Sequence, residues 1–308
     1  MTFIATLIAN PSRPVLSQAL GEKAAHALSP GNLHWLDDGI ACDIVLKADH
    51  DQQAVRATLD MILGDLPIDV VIQNQTDRRK KLLIADMDST MIEQECVDEL
   101  AVEIGIGEKV AAITRQAMNG EIDFEAALRQ RVALLAGLPA GVIDKLLAER
   151  ITLTPGGATL VATMTAHGAY TALVSGGFTA FTGPIAARLG FHENRANRLI
   201  IENGLLNGQV EEPILGRQAK VDALNEIVSR FGWQPQDALA VGDGANDLAM
   251  LAQAGSGVAL HAKPAVARQA AMRIDHGDLT ALLYLQGYRG CDFVAPSAVV
   301  KGMRHDRN

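Results

Sequence analysis

Two aspartates one residue apart, Asp86 and Asp88, close the apolar run Leu82-Leu83-Ile84-Ala85 and are followed by Ser89 and Thr90. A strand alternates its faces with period two, so both carboxylates are expected to leave the strand end in the same direction. Like charges so placed repel, and one would take up a proton unless a cation lies between them. Magnesium answers that need, because it takes oxygen ligands, keeps several waters and bridges carboxylates to substrate phosphates. A carboxylate is also a competent nucleophile for phosphoryl transfer through an aspartyl-phosphate. A strand that merely ends in a turn would carry the same residues, since Asp favours turns.

Three more segments offer matching chemistry. Ser175-Gly176-Gly177 ends the run Leu173-Val174, and glycines there allow backbone N–H groups to approach a phosphate closely. Lys220 opens an amphipathic stretch. It is either a solvated helix end or, if aimed inward, a compact charge able to neutralise a nucleophile and a transferring phosphoryl group. Gly242-Asp243-Gly244-Ala245-Asn246-Asp247 follows Ala240-Val241, and Asp247 lies one helical turn beyond Asp243, so both are expected to face one cation.

Elements able to gather these residues are legible around them. From Leu82 onward apolar strand candidates alternate with helices, the pattern of a mostly parallel Rossmann-like α/β sheet covered on both faces. The candidates are 82–86, 170–175, 238–243, 257–260 and 272–274. Ligands of such sheets bind outside the carboxyl ends of the strands. Helices are expected at 97–104, 107–119, 123–136 and 140–149, forming an insertion at about 94–152 above the crevice that could close as a lid. Residues 199–212, with Asn203-Gly204 and Asn207-Gly208, read as a hairpin with no assigned chemistry.

Before residue 76 the order reads βαββαβ, a ferredoxin-like α+β unit, with strands at 2–9, 33–35, 40–46 and 68–72 and helices at 14–28 and 52–63. The polar stretch 76–80 is the expected linker, giving an N-terminal domain of 1–76 and a second domain of 77–308.

The chain has 308 residues, 48% of them hydrophobic, enough for a large core. Its formal charge of −9 offers no basic footprint for nucleic acid, while a small anionic substrate stays possible. No apolar run reaches the ~18 residues of a membrane span, and Met1–Leu7 lacks a signal peptide's basic head and cleavage site, so a cytoplasmic location is expected. The three cysteines are too dispersed for a zinc site.

Taken in order, Asp86-x-Asp88, Ser175, Lys220 and Gly242-Asp243-Gly244-x-Asn246-Asp247 resemble the four motifs of the haloacid-dehalogenase-like phosphatase superfamily. The closer resemblance is to the phosphoserine phosphatase family, whose first motif reads Asp-x-Asp-Ser-Thr with a glutamate nine residues after the nucleophile, here Glu95. Met118, Phe124 and Arg131 stand at the spacings of that family's substrate-binding cap residues.

The resemblance implies Asp86 as nucleophile and Asp88 as general acid and base. Magnesium would be held by Asp86, the Asp88 backbone carbonyl and Asp243, with Asn246 and Asp247 behind. The phosphoryl oxygens would be held by Ser175, Gly176, Gly177 and Lys220, with Asn246 also in the substrate site. O-phosphoserine is the implied substrate, with Glu95 on its ammonium and Arg131 on its carboxylate. Two alternatives remain at this level: a phosphotransferase handing the group to another alcohol such as homoserine, and a non-catalytic amino-acid sensor. The N-terminal unit resembles an ACT domain, a module that often binds amino acids at a homodimer interface, although its first loop, Asn10 to Pro14, lacks the glycine common at such effector sites.

Overall fold

The computed structural model describes residues 2–47, 51–118 and 121–296. The N-terminal unit runs β1 (Phe3–Ala9), α1 (Gln18–Leu28), β2 (Leu33–Asp37), β3 (Ala41–Val45), α2 (Gln52–Leu63), β4 (Ile68–Asn74). Its strands form one antiparallel sheet in the order β2-β3-β1-β4, the ferredoxin-like arrangement. Ala5, Leu7 and Ala9 of β1 pack with Leu59 and Leu63 of α2. Ile8, on the opposite face, joins a core shared with the rest of the molecule. Helix α1 starts later than the expected Pro14. The Leu16 N–H is taken by the Gly39 carbonyl, and Ser17 Oγ caps the helix by accepting from the Leu20 N–H at 3.2 Å.

The second unit continues with β5 (Leu82–Ala85), α3 (Cys96–Val102), α4 (Gly107–Met118), α5 (Phe124–Ala133), α6 (Val142–Glu149), α7 (Gly157–Ala166), β6 (Tyr170–Phe178), α8 (Thr179–Leu189) and β7 (Glu193–Asn197). Then come β8 (Leu199–Glu202), β9 (Leu205–Val210), α9 (Arg217–Arg230), β10 (Ala238–Gly242), α10 (Leu248–Gln253), β11 (Ser256–Leu260), α11 (Pro264–Ala267), β12 (Met272–Ile274) and α12 (Ala281–Leu285). Six strands make a parallel sheet ordered β12-β11-β10-β5-β6-β7. Strands β5 and β10 at its centre are buried along their whole length, which is why they read as unbroken apolar runs. Strand β7 has no such signal. It is a polar edge strand, Glu-Asn-Arg-Ala-Asn, paired among the described residues only to β6, so neither alternation nor hydrophobicity marks it.

Helices α3 to α6 form the insertion, and an antiparallel bridge between Ile92 and Leu153 closes its neck. The β8–β9 hairpin props it from the side: the Gly137 N–H donates to the Leu206 carbonyl, the Leu206 N–H to the Leu138 carbonyl and the Ala140 N–H to the Gly204 carbonyl, at 2.8 to 2.9 Å. The polar stretch expected as a linker is fastened rather than loose. Arg78 is pinned between the units, pairing with Asp43 at 2.7 Å and donating to the carbonyls of Tyr284 and Leu285. No helix among the described residues is long and apolar enough to cross a membrane.

Candidate active site

Strand β5 stops at Ala85, so the period-two alternation expected of Asp86 and Asp88 does not extend across them. Asp86 and Asp88 nevertheless line one cavity of about 50 Å³ beneath the insertion. Asp86 is anchored by its N–H to the Val241 carbonyl of β10 at 3.0 Å. Its Oδ1 accepts from the Met87 N–H and from Lys220 Nζ, each at 2.8 Å.

Lys220, in the first turn of α9, is fully buried and bridges Asp86 and Asp247, with Asp247 Oδ1 at 2.6 Å. Burial disfavours its charge, but the two carboxylates outweigh that and hold the ammonium above the usual lysine range. Its inward aim excludes the solvated helix end.

Oxygen atoms of Asp86, Asp243 and Asp247 lie within 4.8 Å of one another. Burial, reinforced by the charge of Asp86, raises the Asp243 carboxyl and pushes Asp247 up to about 7. Three crowded, buried, oxygen-only donors that resist ionisation are what a hard divalent cation relieves, so the residues fit such an ion. The side chain of Asp88 is not in this trio. Its Oδ1 accepts the Cys96 N–H at 3.4 Å, and burial, with Asp86 nearby, pushes it up to about 7. Glycine at 242 is required by closeness: a Cβ there would lie 2.4 Å from Asp247 Cγ.

Strand β6 runs past Ser175 to Phe178, and a bulge against β7 between Val174 and Phe178 turns Ser175, Gly176 and Gly177 into the cavity. The expected loop before a helix is thus an irregular strand end. The Gly177 N–H donates to Ser175 Oγ at 2.9 Å. Phe124 of α5 closes over Gly176, where a Cβ would fall 2.5 Å from the ring.

Glu95, the N-cap of α3, accepts from Ser89 Oγ at 2.6 Å, and burial beside Asp88 and Asp243 raises it well above the usual range. Arg131 is 6% exposed, donating to Thr114 Oγ1 at 3.0 Å and to the Ala127 carbonyl at 3.2 Å. Glu95, Arg131, Phe124 and Asn246 all line the cavity with Asp86 and Asp88. Met118 ends α4, and its side chain lies outside the described residues.

Several participants are missing from the sequence reading. Lys263 Nζ pairs with Asp243 Oδ2 at 2.7 Å. It sits just past the end of β11, so the strand-end rule that found the other motifs pointed there too. Asn197 clamps the β6 bulge, donating to the Gly176 carbonyl at 2.9 Å and accepting the Leu215 N–H at 2.6 Å; nothing in its neighbourhood marks it. Thr114 links Arg131 to Asp98, donating to Asp98 Oδ1 at 2.6 Å.

A family model for haloacid dehalogenase-like hydrolases matches residues 83–252. A phosphoserine phosphatase of Albidiferax ferrireducens is 49% identical over 210 residues, 67% of this chain and 89% of that protein. The chain spans 61 to 65% of the length of three further relatives that carry the same name. Among solved structures, a phospho-aspartyl intermediate analogue of phosphoserine phosphatase superposes with a TM-score of 0.64 at 40% identity, covering 67% of this chain and 98% of that one. A hydrolase from Salmonella enterica serovar Typhi reaches 0.80 at 31% identity, over 92% of this chain and 98% of that one. The matched span contains the strand end with Asp86, the bulge with Ser175, Lys220 and the Asp243–Asp247 turn, and on that ground the chain belongs to the haloacid dehalogenase-like hydrolase family.

Proposed function

We propose that the protein is a magnesium-dependent phosphatase that hydrolyses O-phospho-L-serine to serine and phosphate. The observation that carries this reading is one cavity with Asp86, paired to Lys220, at its floor and Glu95 and Arg131 in its walls. A phosphate end and an amino-acid end are thereby served by groups of the right charge. Glu95, raised by burial and by neighbouring acids, gains most from a substrate ammonium, and the guanidinium of Arg131 suits a carboxylate. The names of the relatives, and the phospho-aspartyl analogue held by one of them, support the same substrate and a covalent step.

Asp86 attacks phosphorus in line, forming its P–O bond as the bond to the serine oxygen breaks. Asp88, pushed up to about 7 and so able to carry a proton, passes it to the departing serine oxygen. Water then attacks the aspartyl-phosphate, losing a proton to Asp88, and releases phosphate and free Asp86. Lys220, Ser175 and the glycine N–H groups hold the phosphoryl oxygens, the main task in a reaction governed by positioning and electrostatics. Asp86, Asp243 and the Asp88 backbone carbonyl would hold magnesium, steadied by Asn246 and Asp247, and its charge would neutralise the phosphoryl group. The insertion at about 94–152 lies over this cavity and supplies Phe124 and Arg131 to its wall, the place of a lid that shields the reaction from water. Residues 1–76 form the ACT-like domain of this reading and 77–308 the phosphatase domain.

The test is phosphate release from O-phospho-L-serine and a panel of small phosphomonoesters, with magnesium or with chelator. Selective, chelator-sensitive release from phosphoserine is expected. Absence of release with magnesium, or release that begins only when homoserine is added as acceptor, would overturn the proposal.

A further inference from the structure

The N-terminal sheet grips the loop that follows β12. Asp69 of β4 is 4% exposed, and its carboxylate accepts from the backbone N–H groups of Asp275, His276 and Gly277 at 2.8, 3.2 and 2.7 Å. From the loop after β1, Asn10 Nδ2 donates to the His276 carbonyl at 2.9 Å. Three N–H groups converging on one carboxylate make an anion-binding concavity. The loop's shape is therefore imposed from across the junction between the two sheets.

That constraint continues towards the active site. The Gly277 carbonyl accepts from His261 Nε2 at 2.8 Å, and the His261 N–H donates to the Ile274 carbonyl at 2.8 Å. His261 is held at φ +43°, in the left-handed region that a side chain adopts only where its surroundings impose it. Two residues on, Lys263 pairs with Asp243 Oδ2. A carboxylate turns easily about its last bond, and a partner fixed on one oxygen fixes where the other points.

We propose that Asp69 and Asn10 are positioning residues for the cation ligand Asp243, acting through the 275–277 loop, His261 and Lys263. The N-terminal unit is then part of the construction of the metal site, not only a neighbouring module. This inference rests on the reading of Asp243 as a cation ligand, and the experiment separates the two.

Mn2+ is titrated into the full-length protein without substrate, its binding followed by electron paramagnetic resonance, for wild type and variants. Losing the partner that orients a ligating group typically weakens binding 10- to 100-fold, so Lys263→Met is expected to fall in that range and Asp69→Ala at about tenfold. In the Lys263→Met background Asp69→Ala is expected to add less than about twofold, because the two act along one route. The KM for phosphoserine at saturating Mn2+ stays at the wild-type value in Asp69→Ala.

Wild-type Mn2+ affinity in Asp69→Ala, or effects that multiply in the double variant, would overturn the proposal. Asn10→Ala removes one half-buried side chain and leaves the core intact, so it serves if Asp69→Ala does not fold. A loss of about threefold is expected there on the same scale, and an unchanged affinity counts equally against the proposal. If the wild type binds no Mn2+ that Asp243→Asn abolishes, the cation reading fails and takes the positioning role with it. If binding is intact but uncoupled, only the positioning role fails.

Discussion

In the proposed mechanism the chemistry rests on a few buried charges, Asp86, Asp88, Glu95 and Lys220 among them. Asp86→Asn keeps the shape at the floor of the cavity and removes the attacking oxygen. Turnover should fall by roughly 10⁴-fold or more in a phosphate-release assay, while circular dichroism stays that of the wild type. Glu95→Gln should act on recognition. Removing one partner of a desolvated charge pair costs about 2–5 kcal/mol, to be read as a loss in kcat/KM for phosphoserine. A small phosphomonoester without an ammonium, such as p-nitrophenyl phosphate, should show no comparable loss. In the metal-free protein, Asp88 and Asp247, both pushed up to about 7, keep protons that the unfolded chain has already released above the ordinary carboxylate range. The folded state then binds the extra protons, so stability should decline as pH rises from about 4 through about 7. Denaturant titrations across that window, with and without magnesium, check the sign and should find the slope flattened by the ion.

At the scale of elements, the insertion is held at two places. Its neck is the bridge between Ile92 and Leu153, and its flank is tied by backbone hydrogen bonds to the β8–β9 hairpin. The hairpin therefore shares with the neck in seating the insertion. Phe124, opening α5, closes the insertion on the β6 bulge, and only a glycine at 176 leaves room for its ring. Gly176→Ala should oppose the closed arrangement by about 1–3 kcal/mol, the usual cost of overpacking. The expected result is a lower kcat/KM with unchanged metal affinity, partly restored by Phe124→Leu in the same chain.

Across the whole molecule, the two sheets share one continuous core, since Ile8, Ala41 and Val71 of the N-terminal unit pack with residues of the second. One face of the four-stranded sheet is taken by its own helices and the other by the same chain. A homodimer formed through this unit would therefore have to use the sheet's edges or the outer sides of α1 and α2. Arg78 holds the junction from inside, with Asp43, Thr6 Oγ1 and two carbonyls of the α12 segment as acceptors. Arg78→Ala leaves Asp43 buried without its counter-charge, a loss of about 3–5 kcal/mol for a broken buried pair. Chemical denaturation followed by fluorescence should show a lower midpoint, with the N-terminal unit separating as an earlier transition.

The motif residues Asp86, Ser175 and Asp243 were legible in the chain because each stands at or near the end of an apolar run, whereas Lys220 was legible only as the opening of an amphipathic helix. In a parallel sheet those ends converge whatever the details of packing. The ferredoxin-like order was legible for a similar reason: strand and helix periodicities are local, and α2 and β12 have the very bounds that their apolar spacing indicates. Features that depend on a partner far along the chain were not legible. Strand β7 is polar and exists through its pairing with β6. Lys263 stands past a strand end, but its pairing with Asp243 appears only once β11 brings the two together. Where Asp88 points is decided by the halt of β5 at Ala85, and the grip of Asp69 on the 275–277 loop joins residues some two hundred positions apart. Sequence by itself determined which groups could do the chemistry, since residue type and local period suffice for that. Which groups hold them in place was decided by tertiary structure alone, because a hydrogen bond across two sheets leaves no periodic trace in either segment.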